Sequence, residues 1–163
     1  MPTNKTPMNT DTGLYLDTTP TGETRAYAQI GEGFTGATPS LNPTVNSVHY
    51  INHKSPTSSK TGVSRQYALA GERVVGDAVN DYLVGLADSI GEDVKSTLVK
   101  VDLTATPTEG AYPAKRYDVL VVTNNDGTLT GGATQAIDVT LYVNGDPTVG
   151  TFNVSTKAFT ATA

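Results

Sequence analysis

Ile137-Asp138-Val139-Thr140-Leu141-Tyr142-Val143 sets an apolar residue at every second position. Successive side chains of a strand point to opposite faces, so this stretch predicts a strand with one face turned inward and a polar face turned out. The same period recurs upstream. Thr97, Val99, Val101 and Leu103 alternate with Leu98, Lys100 and Asp102, and Val63, Tyr67 and Leu69 fall opposite Ser64 and Gln66. Arg116 to Thr123 is partly apolar on both faces through Tyr117, Val119, Leu120, Val121 and Val122. Shorter strands are expected over Arg25–Gly31 and Asn46–Asn52. Asn124-Asn125-Asp126-Gly127 signals a turn, with a Gly- and Thr-rich loop over Thr128–Thr134. Asn144-Gly145 predicts a tight hairpin, because both central positions of that turn need φ > 0, with Phe152 and Val154 on the returning strand.

One segment follows a different period. Val79, Tyr82, Leu83, Leu86, Ala87 and Ile90 line one face of an amphipathic helix over about 77–90. Asp77 is placed to cap its N-terminus and Gly91 to stop it. The remaining segments lack a core-forming pattern. Residues 1–24, with Pro2, Pro7 and Pro20 among Thr and Asn, read as an extended arm. Residues 52–62 hold Lys54, Pro56, three serines and Lys60 and read as a long exposed loop. Residues 156–163 read as a loose polar tail. The fold expected for 25–155 is mainly β (α+β): an antiparallel β-sandwich or barrel with one flanking α-helix.

Composition narrows the function classes. The 163 residues suit one domain with a real core. There is no cysteine, hence no disulfide or thiolate metal site. No window approaches the apolar run needed to span a bilayer as a helix, and the first twelve residues are too polar for an export signal. A soluble protein made in a cytoplasm is expected. The net charge of −5 argues against tight nucleic-acid binding. Residues 1–75 hold five acids and six bases, the rest eleven acids and five bases.

Motifs with chemical meaning lack the context they need. Gly31-Glu32-Gly33-Phe34-Thr35-Gly36 matches a dinucleotide fingerprint, but it runs into Pro39 and Pro43 instead of opening a helix; a glycine-rich corner between strands is the simpler reading. His49 and His53 have a zinc-like spacing that works on a helix, whereas this segment reads as strand and loop. Glu92 and Asp93 adjoin a helix end, and no Trp platform accompanies any carboxylate pair. No catalytic residue, cofactor or metal is expected.

Three segments resemble the major tail proteins of siphophages, the long non-contractile-tailed bacteriophages. The first runs from Tyr27-Ala28-Gln29-Ile30-Gly31-Glu32-Gly33-Phe34 through Pro39-Ser40-Leu41-Asn42-Pro43 to His49-Tyr50-Ile51-Asn52-His53-Lys54. The second is Gly76-Asp77-Ala78-Val79-Asn80-Asp81-Tyr82-Leu83-Val84-Gly85-Leu86. The third is Leu141-Tyr142-Val143-Asn144-Gly145-Asp146-Pro147-Thr148-Val149-Gly150-Thr151-Phe152. Their order and spacing agree over about residues 25–155. The chain departs from the family where Ala87-Asp88-Ser89 replaces a basic helix end. The resemblance implies a virion tail-tube subunit, assembled in the host bacterial cytoplasm, that forms hexameric rings stacked around a tape-measure protein. Its further partners would be a tail-tip or baseplate initiator and a terminator, and DNA would pass through the channel without specific binding. On that reading Asn52, His53, Lys54, Pro56 and Lys60 belong to a ring-to-ring loop, and Asp102, Asp118 and Asp138 line the channel. The competing expectations are another virion β protein, such as a capsid decoration or adhesion domain, and a binding module or hydrolase, which would need a pocket with convergent polar groups.

Overall fold

A computed structural model describes residues 4–162. The strands are β1 (Thr12–Asp17), β2 (Tyr27–Gln29), β3 (Phe34–Ser40), β4 (Pro43–Val48), β5 (Thr57–Val63), β6 (Gln66–Glu72), β7 (Lys95–Asp102), β8 (Ala111–Thr128), β9 (Ala136–Asn153) and β10 (Ala158–Ala161); the helix, α1, is Ala78–Gly85. All pairings are antiparallel. The main sheet has the order β2-β1-β7-β8-β9-β6-β3, with β10 added to β9, and curls into a half-barrel. β4 and β5 form a separate two-stranded ribbon. The architecture expected from the sequence, mainly antiparallel β with one flanking helix, is the one observed.

The two faces of the sheet are buried differently. Leu98, Tyr117, Val119, Val121, Val139, Leu141, Tyr67 and Leu69 share one face, against which Val79 and Leu83 of α1 pack. On the opposite face Val99, Val101, Ala114 and Phe152 bury Tyr15 and Tyr27 near one end. Tyr15 and Phe152 stack with ring centroids 4.5 Å apart, and Tyr27 meets Phe152 edge-on at 5.8 Å. β7 is therefore covered on both sides, which explains the mixture of apolar residues at odd and even positions.

α1 is held by polar contacts as well as by packing. The Asp77 carboxylate accepts from the Asn80 amide, as its capping position predicts. Asn80 is itself fully buried: its amide group donates to the Glu72 carbonyl, and its oxygen accepts from the Val74 amide and the Arg73 guanidinium. This side chain ties the helix start to the bend that leaves β6.

Several expectations need correction. The supposed arm, residues 1–24, contains β1, a strand inside the main sheet. Leu16 and Asp17 are fully buried there. The Asp17 carboxylate is satisfied by the amides of Thr19 and Ala26 and by Arg25 at 3.1 Å, so a short strand with a charged end becomes part of the interior. The loop expected over 52–62 ends where β5 begins at Thr57. Polar Thr and Ser formed that strand because both of its faces are in solvent. The helix stops at Gly85, short of position 90, and Ile90 is 84% exposed. Asn144-Gly145 makes no hairpin. β9 runs through it, Gly145 takes φ +71°, and three residues bulge between the pairs Arg116–Thr148 and Asp118–Asn144. The tail over 156–163 contains β10, which pairs with β9 from Asn153 to Gly150.

The Gly31–Gly36 motif is a corner. Gly33 has φ +80°, and its carbonyl accepts from the Glu72 amide. A side chain at Gly71 would meet the Gly33 carbonyl at 2.1 Å, so β3 and β6 approach closely there.

Leu83→Ala is expected to cost about 2–5 kcal/mol, because Leu83 is fully buried, and Asn80→Ala about 1–3 kcal/mol, because it leaves the Val74 amide without its partner. Ile90→Ala should change stability by less than about 0.5 kcal/mol. Denaturant melts of the three variants check the ranking.

Candidate functional site

The β4–β5 ribbon continues the β3–β6 pair outward past a kink at Leu41-Asn42 and Ser64-Arg65. Asn42 takes φ +39° there, its side chain donates to the Ser64 carbonyl, and the Ser64 amide donates to the Leu41 carbonyl. Every residue of β4 is exposed and none of β5 is buried. With six residues in β4 at about 3.4 Å each, the ribbon reaches roughly 20 Å beyond the kink. Its tip holds Tyr50, 53% exposed, and Ile51, fully exposed. Val45, Val48 and Val63 are exposed along it. A lone two-stranded ribbon is marginally stable in water, and this one presents apolar side chains that contribute nothing to the core.

The residues singled out from the sequence divide around the tip. Asn52, His53, Lys54 and Pro56 lie in the turn between β4 and β5, and Lys60 lies on β5, opposite Val45. The His49 ring is bonded to the His53 carbonyl at 2.9 Å, and the Tyr50 and His53 rings meet edge to face at 5.6 Å. The histidine pair thus shapes the tip. Tyr50 and Ile51, its most prominent apolar groups, fall within the strand expected over Asn46–Asn52, but β4 ends at Val48 and they stand in the turn.

The three acids do not share one surface. Asp118 and Asp138 are exposed on the sheet face opposite α1, with Ala68, Leu120, Val122, Thr140 and Tyr142; Asp118 also shares a hollow with Pro20, Thr21 and Arg25 of the β1–β2 connection. Asp118 pairs across β9 with Asn144, and Asp138 accepts from the Asn124 side chain. Asp102, at the end of β7, lies on the α1-side face, away from the other two. Hydrogen bonds from the Thr104 hydroxyl and amide hold its carboxyl below the usual carboxylate range.

The sheet also ends in open edges. β2 has only three residues and β3 has seven, and among the described residues each has a strand partner on one side alone. Unpaired backbone N–H and C=O groups along such an edge are a template for another chain.

No protein-family description and no curated protein matches this sequence. Among solved structures, the chain resembles one from the tail of an empty GTA particle, determined with helical refinement and C6 symmetry. The TM-score is 0.57 at 12% identity, over 96% of this chain and 100% of that one. The fold is tail-tube-like. Weaker likenesses are to a chain of the anti-feeding prophage baseplate, 6-fold symmetrised (TM-score 0.46, 11% identity, 90% of this chain and 97% of that one), and to Hcp1 from Salmonella typhimurium (TM-score 0.36, 11% identity, 92% and 99%).

Ile51→Asp is expected to leave the melting temperature unchanged, since Ile51 touches no core residue, and to weaken self-association. Thermal melts compared with sedimentation velocity check both halves.

Proposed function

We propose that this chain is the structural subunit of a siphophage tail tube, polymerising as hexameric rings stacked around a channel that passes DNA. The observation that carries the reading is an antiparallel half-barrel left open at both edges, in a chain whose fold is that of a tail protein assembled with C6 symmetry. Joining β2 or β3 to an edge of the next copy pools the half-barrels into one closed barrel and removes the unpaired edges. The ribbon, with Tyr50, Ile51, Lys54 and Lys60, reaches beyond its own domain and connects one ring to the next. The face carrying the exposed Asp118 and Asp138 lines the channel, where carboxylates repel DNA phosphates and keep the duplex from sticking. The tape-measure protein, the tail-tip initiator and the terminator are the partners this role requires.

Purified protein should pass from monomer to rings or tubes as concentration rises, because head-to-tail contacts that do not close extend into filaments. Negative-stain microscopy with sedimentation velocity tests this; monomer alone at every concentration, with a tail-tip initiator also present, contradicts it. Gel shifts at low salt should show no retained DNA, and strong salt-sensitive retention would contradict the channel assignment.

A further inference from the structure

A cleft of about 470 Å³ opens on the α1-side face of the sheet, past the end of the helix-covered core. Arg65, Lys100 and Lys115 converge on it, with Tyr117 and Val149 supplying apolar wall and Asp102 the one carboxylate. Lys100 and Lys115 are direct cross-strand partners in the β7–β8 register. Like charges in that position oppose each other and weaken the pairing. Arg65 lies 5.3 Å from the centre of the Tyr117 ring and donates to the Tyr67 hydroxyl. Among the described residues none of the three cations is in an ion pair. A chain with net charge −5 has thus gathered three of its eleven Lys and Arg residues around one hollow that holds a single carboxylate, Asp102.

At the opposite end of β7 the chain presents the complementary shape. Asp88, Ile90, Gly91, Glu92 and Asp93 are all exposed in the turn between α1 and β7, and Ile90 stands at its apex at 84% exposure. Glu92 is held by Lys95, whereas among the described residues Asp88 and Asp93 are in no ion pair. An apolar residue flanked by acids matches a hollow with an apolar wall ringed by cations. β7 has eight residues, so knob and cleft stand roughly 20 Å apart along the strand and cannot meet within one chain.

We propose that Asp88–Asp93 of one copy seats in the Arg65/Lys100/Lys115 cleft of the next, a contact that rests on the tail-tube reading and assigns it a specific electrostatic joint. The contact is heterologous: each copy offers a knob at one end and a cleft at the other, so it either closes into a ring or extends from copy to copy. Charge excludes the ribbon tip as the occupant, since Lys54 and Lys60 would bring further cations to a cationic site. The like-charged Lys100–Lys115 pair, a liability in the monomer, is neutralised when the knob enters.

The test is a charge exchange. K100E/K115E places acids opposite the acidic knob, and D88K/D93K places bases opposite the basic cleft. Each variant alone should raise the concentration needed for assembly about tenfold or more, with circular dichroism unchanged. An equal mixture should recover assembly, because in an alternating array every knob then meets a cleft of opposite sign. K100Q/K115Q guards against misfolding: it relieves the repulsion within the monomer, so its melting temperature should hold or rise while assembly weakens. If wild-type protein assembles and K100E/K115E assembles at the same concentration, the joint is wrong and the tail-tube reading stands. If the mixture fails to recover, another acidic segment, or nucleic-acid phosphate detected by gel shift, occupies the cleft, and this pairing is overturned. If wild-type protein forms neither rings nor tubes, both readings fall.

Discussion

The pairing of β8 with β9 is the constraint on which the rest of the structure depends. These two 18-residue strands run antiparallel from Ala111–Asn153 at one end to Thr128–Ala136 at the other. β7 adds to β8, and both β6 and β10 add to β9 along different parts of its length. A strand this long twists too far to stay flat. Bulges within Asn144–Thr148 and beside Asn125 absorb the strain and bend the ladder. Bending lets one face receive α1 while, near the other end, the opposite face folds over Tyr15, Tyr27 and Phe152. One continuous ladder thereby supports two small cores and leaves a stretch of sheet between two edge strands, β2 and β3.

The elements legible in sequence are those whose environment is simple. Ile137, Val139 and Leu141 alternate with polar residues because only one side of that part of β9 is buried, and Asp77 caps α1 in the expected way. The parts that escaped are those where a tertiary or solvent context reverses a local signal. Asn144-Gly145 has the preference for positive φ that a hairpin needs, and a bulge needs it equally; only the partner strand decides between them. β5 reads as loop because Ser58, Ser59 and Lys60 are polar on both faces, which is also how a strand of a solvent-exposed ribbon looks. β1 reads as arm because its four-residue run from Leu14 to Asp17 is too short to show a period and ends in a charge whose partners, Thr19, Arg25 and Ala26, are gathered only by the turn into β2. Of the residues singled out, the turn position of Asn52 to Pro56 and the strand positions of Asp118 and Asp138 were legible. The Lys100–Lys115 pair was not, since fifteen positions separate residues that only strand register brings side by side.

These features share one physical logic. Open edges, a ribbon with exposed valines and an exposed isoleucine, and a cluster of unpaired cations are each unfavourable in an isolated domain, through unpaired backbone groups, hydrated apolar surface and like-charge repulsion. Each becomes favourable when another copy supplies a strand, an apolar surface or a carboxylate. The central claim is that this chain is built to be completed by its own copies, starting at the sheet edge. Hydrogen–deuterium exchange in dilute and concentrated protein tests it most directly. The account predicts that the outward amides of β3, Phe34–Ser40, exchange fast in dilute solution and become protected on concentration, while those of β8 and β9 are protected throughout. Fast exchange along β3 at every concentration would contradict it.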